Sequence, residues 1–305
     1  MLGAHDHSNP GQGGQIDPET GLNPQPKVDF GDGSDGDVTV PVVLVAARDM
    51  SFNNLTINAG AYFQPNGFIV KIKGKLTVAG ASYIFGQGGG GGNGAAGVGG
   101  TAGMLLYYTG TRYPRTCLPT VGAAGGDGGA AGVNFSVSNV PLDPDLIAAQ
   151  ALYEGRLWAG AGGAGGGAVG NAPTAGGIPA RVLAGAKGGR GGDAVYIGPG
   201  NKVFGGGGAG AGGGKIEIWV NEIDNNGSIT ADGGGGGIGE GDAIAQAGGG
   251  GGGGGGAVLI FYKTLSGGGL GVRTVAGGAG GASFGGAADG NPGAAGFSYA
   301  MKIGA

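Results

Sequence analysis

From Val38 to Phe85 the chain alternates apolar and polar residues in short bursts: Val38–Ala46, Ser51–Ile57, Tyr62–Phe63, Phe68–Ile72, Lys75–Val78 and Tyr83–Phe85. These bursts favour β-branched and aromatic residues, which suit a pleated, half-buried surface. Turn signals fall between them at Asn53-Asn54, Asn58-Ala-Gly60 and Pro65-Asn-Gly67, and Lys73-Gly-Lys75 reads as a further turn. Short strands at such regular spacing predict a β-solenoid or a small sandwich. One helix is predicted within Asn134–Trp158, with Asp143 as N-cap and Pro144 at the first helical position. Leu146, Ala149, Tyr153 and Leu157 then share one face of it.

From Gly88 onward the pattern gives way to glycine. The chain has 86 glycines in 305 residues, against a usual share of about 7%. Gly233–Gly237 and Gly248–Gly256 are the longest tracts. Flexible linker is one reading. Three features favour order: the filler is Ala, as in Ala159–Ala168; the tracts recur from Gly88 to Gly296; and they abut strands such as Ile216–Val220 and Val258–Tyr262. Glycine in the polyproline II shape has three residues per turn and no internal hydrogen bonds, so its N–H and C=O groups are free to bond neighbours. A bundle of such segments is the predicted state. A weak repeat supports it. Lys215–Val220, a turn, a strand and glycines match Ala257–Tyr262 followed by the same succession, and Phe68–Gly92 is a fainter copy. Such units must stack to bury a face.

The expected architecture is therefore mostly β, with three parts. Residues 1–37 form an extended N-terminal anchoring arm, and 38–87 a β-rich neck of short-strand solenoid or sandwich type. Residues 88–305 form a glycine-rich body, a polyglycine II-type bundle or solenoid, with inserts at 104–118 and 134–158 and one short helix.

Net charge is −4 and only 12% of residues are charged. The 16 Lys and Arg are scattered, so no basic stripe points to nucleic acid. No apolar run is long enough to span a membrane, and Met1-Leu-Gly-Ala-His lacks the marks of a secretory signal. Cys117 is the one cysteine, which excludes an intrachain disulfide framework. Both histidines, His5 and His7, lie two apart in the arm. In an extended segment they share a face, and chains around an axis would bring several imidazoles to one metal ion. Asp29–Asp37 interleaves carboxylates with glycine. That composition suits calcium oxygen ligands, but it also suits ordinary turns.

Catalytic signatures are missing. G-x-G-x-x-G matches are guaranteed by composition, and Gly214-Lys215 is followed by Ile216, so there is no P-loop. No histidine follows His7, which removes histidine-based triads from the body. The expectation is a non-enzymatic protein.

Several segments resemble glycine-rich structural proteins of tailed bacteriophages. They are Gly31-Asp-Gly-Ser-Asp-Gly-Asp37, Arg48-Asp49-Met50, Asn53-Asn-Leu-Thr-Ile-Asn-Ala-Gly60 and Lys73-Gly-Lys-Leu-Thr-Val78. His5-Asp-His7-Ser with Gly11-Gln-Gly-Gly looks like phage fibre openings, and the His-x-His pair is similar to the iron-binding motif of trimeric fibres and spikes. The glycine tracts resemble the polyglycine II sandwich of long-tail-fibre tip adhesins of T-even-like phages. The resemblance implies a virion protein made in the host cytoplasm without a signal peptide and displayed on the particle surface. It implies a homotrimer attached to other virion proteins by the arm, with iron or another transition metal at an inter-chain His5/His7 site. Tail fibre or adhesin is the leading role. Capsid decoration or a head or collar fibre is the alternative, and a glycine-rich cell-surface or matrix protein a further one. In an adhesin, recognition of a bacterial receptor falls to loops between glycine helices. Tyr107, Tyr108, Arg112, Tyr113, Arg115, Tyr153, Arg156 and Trp158 are the candidates, being of the types that dominate binding hot spots.

Overall fold

The computed structural model describes residues 29–95, 100, 191, 194–196, 202–242, 246–284 and 287–303. Their secondary structure is strand, with no helix and none long and apolar enough to cross a membrane. The helix expected from Asp143 lies outside the described residues.

The chain passes back and forth between two sheets. β1 (Asp37–Val40), β3 (Met50–Phe52), β4 (Asn54–Ile57), β6 (Ile69–Val78), β10 (Lys215–Asn225), β12 (Ala257–Leu265) and β14 (Phe297–Lys302) belong to the first sheet. β2 (Val43–Val45), β5 (Tyr62–Gln64), β7 (Tyr83–Phe85), β11 (Ser228–Thr230) and β13 (Val272–Thr274) form the second. Every pairing within these two sheets is parallel. Parallel neighbours need a long crossover, and here the crossover includes a strand of the opposite sheet. β8 (Ala194–Tyr196) and β9 (Lys202–Phe204) make a separate antiparallel pair.

Alternation decides which residues fill the space between the sheets. Leu55 and Ile57, Val70 and Ile72, Ile216, Ile218 and Val220, and Val258 and Ile260 point inward from the first sheet and are fully buried. Phe63, Ile84 and Ile229 meet them from the second. Phe52 and Phe63 pack edge to face at 6.2 Å. The repeat legible in the sequence is an in-register pairing, with Lys215 beside Ala257 and Val220 beside Tyr262.

Two expected boundaries move. Val38–Ala46 divides into β1 and β2 around Pro41, because the chain turns there from one sheet to the other. Lys73-Gly-Lys75 is not a turn but the middle of β6, where the pairing with β10 shifts register. Gly74 donates to the Asn53 carbonyl at 2.7 Å, and a Cβ there would lie 2.3 Å from Asn54 Oδ1. Glycine is required by that close approach.

Among the described residues six glycine-rich tracts extend from these strands: tract 1 (86–95), tract 2 (205–214), tract 3 (231–240), tract 4 (247–256), tract 5 (275–284) and tract 6 (287–296). Tracts 1, 3 and 5 leave the second sheet, and tracts 2, 4 and 6 return to the first. Their hydrogen bonds repeat every third residue. Within the outbound layer Gly88, Gly91 and Gly94 donate to Asp232, Gly235 and Ile238, and Gly233, Gly236 and Gly239 donate to Ala276, Ala279 and Ala282. The return layer does the same from Gly207, Gly210 and Gly213 to Gly248, Gly251 and Gly254, and from tract 4 to tract 6. Between layers the tracts run antiparallel, as in Gly250, Gly253 and Gly256 donating to Gly237, Gly234 and Ala231.

Each residue thus has one of three settings. Inner positions (234, 237, 250, 253) bond the opposite layer with both N–H and C=O. Side positions (233, 236, 249, 252) donate to the next tract of their own layer. Outer positions (232, 235, 238) accept from the previous one. A Cβ at inner Gly234 or side Gly236 would stand 1.9 Å from a carbonyl oxygen, whereas at outer Gly235 the nearest atom is 3.6 Å away. The sequence obeys this. Outer positions carry Gln87, Asn93, Asp232, Ile238, Ala276, Ala279 and Ala282, while side and inner positions of tracts 3 and 4 are glycine except at their ends.

A position-specific glycine scan tests this register. Gly236→Ala is expected to cost about 1–3 kcal/mol or more through forced overlap. Gly235→Ala, one residue earlier, is expected to be neutral or to stabilise by up to about 1 kcal/mol, by restricting the unfolded chain. Equal effects in urea unfolding would refute the assignment of settings.

Candidate functional site

The acidic segment Asp29–Asp37 folds back onto β3. Gly31, Gly33 and Gly36 take positive φ values of 89°, 77° and 72°, which glycine adopts without strain. Ser51 sits at the centre. Its hydroxyl donates to Asp32 Oδ1 at 2.7 Å and accepts the N–H groups of Asp32 and Gly33 at 3.0 and 3.1 Å. Asp35 accepts the Ser51 N–H at 2.7 Å and pairs with Arg48. Asp37 accepts from the Asn53 and Asn54 amides at 2.7 and 2.8 Å, and Asp29 pairs with Lys71 at 2.5 Å.

These donors favour the ionised carboxylates. The Ser51 hydroxyl holds Asp32 at about 2, Arg48 lowers Asp35, Asn54 with Asn53 lowers Asp37, and Lys71 lowers Asp29. The segment therefore works as a latch, with each acid engaged by a protein donor. Among the described residues no group of three or more His, Cys, Asp or Glu is placed to hold a metal ion. The glycines of the segment make its turns and the carboxylates its latch bonds. His5 and His7 lie outside the described residues.

A second polar cluster joins β6, β10 and the residue that follows β12. Lys75 reaches Glu222 at 3.0 Å and Asp224 at 3.4 Å, and Ser266 donates to Glu222 at 2.7 Å. On the outward side of the same sheet Trp219 stacks on Phe261, with centroids 4.1 Å apart and 22° between planes. Phe261 meets Tyr299 edge-on at 6.4 Å. Trp219 Nε1 donates to Glu217, which also takes the nearly buried Lys215 at 2.7 Å. The ladder ends at the edge strand with Tyr299 and Met301 about two-fifths exposed. Sequence reasoning passed over this ladder, although the repeat that aligns Trp219 with Phe261 carried the signal.

Outer side chains of the glycine tracts have their own task. Asn93 Oδ1 accepts the Ile238 N–H at 2.9 Å, and Asp232 Oδ1 accepts the Ala276 N–H at 2.6 Å. Outer N–H groups have no tract to bond, so a side chain from the neighbouring tract satisfies them.

The receptor-contact candidates Tyr107, Tyr108, Arg112, Tyr113, Arg115, Tyr153, Arg156 and Trp158 all lie outside the described residues. Where the chain departs toward them is defined. Tract 1 ends beside Ile238, and tract 2 starts where Gly205 accepts from Glu240. The 3–4 connection closes at the same end, where Ala247 donates to Glu240.

The latch makes stability depend on acid. Because the folded pKa values lie below the ordinary 3.8, the contribution is complete above the unfolded value and is lost as pH falls through the folded ones, toward pH 2. Melting temperature should therefore drop between about pH 5 and pH 2. Ser51→Ala should move the Asp32 carboxyl, followed by NMR titration, up toward about 3.9; an unmoved titration would remove Ser51 as its cause.

Comparison with protein-family models, with curated proteins and with solved structures found no match to this chain.

Proposed function

We propose that this chain is a non-enzymatic structural protein of a tailed-phage virion, a fibre or adhesin that uses a glycine scaffold to present recognition loops. In this reading the stacked strands form a β-solenoid. The six tracts are polyglycine II helices in two layers, continuing the solenoid sideways. The arm attaches three copies to the particle, with His5 and His7 sharing a transition metal between chains.

One observation carries the reading. The long segment holding both aromatic inserts begins and ends at the tract ends remote from the sheets, where the 3–4 connection also closes. A rigid scaffold with variable loops gathered at one end is a general arrangement for recognition. The tracts supply the rigidity because their backbone bonds, not side chains, fix their spacing.

Immunogold labelling of intact particles with antibody to residues 104–158 tests the role. Label at the tail end is expected, and replacing 104–118 by a short glycine-serine loop should then abolish cell binding while leaving the melting temperature within a few degrees. Label on the head or collar would overturn the adhesin role in favour of decoration. For the arm, elemental analysis of the intact oligomer should find metal that His5→Ala/His7→Ala removes; a metal-free oligomer would refute the shared site.

A further inference from the structure

We propose that tract 6 is a built stop, which closes the glycine lattice to a seventh tract and so to a glycine tract from a second copy of this chain. The inference rests on the tract register and is independent of any adhesin role.

Tracts 5 and 6 end their layers, and the next tract in the alternating order would lie in the notch between them. Tract 5 offers it donors. The side N–H groups of Gly277 and Gly280 correspond to those of Gly233 and Gly236, which bond tract 5, yet no described group accepts them. Tract 6 offers acceptors. The inner carbonyls of Gly290 and Gly293 correspond to those of Gly250 and Gly253, and no described group donates to them. By backbone pattern alone the lattice would continue.

The side positions of tract 6 prevent it. They are Asp289, Pro292 and Ala295, where tracts 2 and 4 have Gly207, Gly210, Gly213, Gly249, Gly252 and Gly255. A Cβ at a side position points at the carbonyls of the following tract in the other layer. At Gly233, Gly236, Gly249 and Gly252 it would come within 1.9–2.1 Å of them. Real Cβ atoms at all three side positions of tract 6 therefore occupy the space a seventh tract needs. Pro292 also lacks the N–H that would bond a further tract in its own layer. Asp289 closes the end of the notch by accepting the Ser283 N–H at 2.7 Å and its hydroxyl at 2.8 Å. Tract 6 keeps glycine at Gly290, Gly293 and Gly296, which donate to tract 5 and where a Cβ would come within 1.8–2.1 Å of tract 4 carbonyls. Glycine is kept only on the side that already has a partner. Open edges of a backbone lattice invite self-association, as sheet edges do, and the same remedy of proline, charge and bulk is applied here.

The test is sedimentation velocity of the full chain over a range of concentrations. Asp289→Gly/Pro292→Gly/Ala295→Gly is expected to form a larger, concentration-dependent species absent from the unmodified protein. Ala288→Gly/Asn291→Gly/Ala294→Gly, which adds the same number of glycines at outer positions, is expected to sediment like the unmodified protein. A triple side-position variant that sediments unchanged, or an outer variant that associates equally, overturns the stop. If the side-position variant does not fold, amide exchange in the unmodified protein decides. Rapid exchange of the Gly277 and Gly280 amides at high protein concentration supports a closed, empty notch, and protection overturns it.

Discussion

The backbone hydrogen bond between neighbouring glycine tracts is the interaction on which the body of this protein depends. It requires two chains to approach until N–H meets C=O with no side chain between them, and at two positions in three a Cβ would intrude to about 2 Å. Within tracts 3 and 4 each three-residue period engages two N–H and two C=O groups, equivalent to two bonds per period once sharing is counted. At about 0.5–1.5 kcal/mol net per bond, against about 1–2 kcal/mol to order each residue, the tracts do not sustain themselves.

The sheets make up the difference. Tracts 1 to 4 adjoin strands with fully buried inward residues, Ile84, Ile216, Ile229 and Val258, while tracts 5 and 6 adjoin the outermost strands, β13 and β14, and are held through their neighbours. The parallel sheets also set tract spacing, since neighbours in a layer continue from neighbouring strands: tract 3 from β11 and tract 5 from β13, tract 4 into β12 and tract 6 into β14. A shift in strand register would displace every donor along the adjoining tract. The hydrophobic core thus governs the lattice although few of its side chains touch it.

Polar groups deal with what this construction leaves over. Asn93 and Asp232 satisfy outer N–H groups, the Asp29–Asp37 latch secures the first pass of the chain, and tract 6 carries side chains where no partner follows. All three devices stand at boundaries of the stack, where a periodic structure has unpaired groups. Function in the proposed reading belongs to another boundary, the remote tract ends from which the inserts depart.

Much of this was legible in the sequence. Alternation located the strands from Val38 to Phe85, Pro65-Asn-Gly67 marked a turn in which Asn66 and Gly67 have positive φ, and the repeat aligned Lys215–Val220 with Ala257–Tyr262. These are local signals, set by the period of a strand and by the steric freedom of a turn residue. The sequence did not reveal that Gly74 lies inside a strand, since a Lys-Gly-Lys segment looks the same in a turn and in a register shift. Nor did it show that the acids of Asp29–Asp37 are engaged by Ser51, Arg48 and Asn53, because those donors are distant in the chain. Glycine content alone determined that close backbone packing was possible. Only the tertiary structure decided which glycines are obligatory, because a Cβ is excluded by what faces it, and each tract acquires its facing neighbours only when the sheets have set it in place.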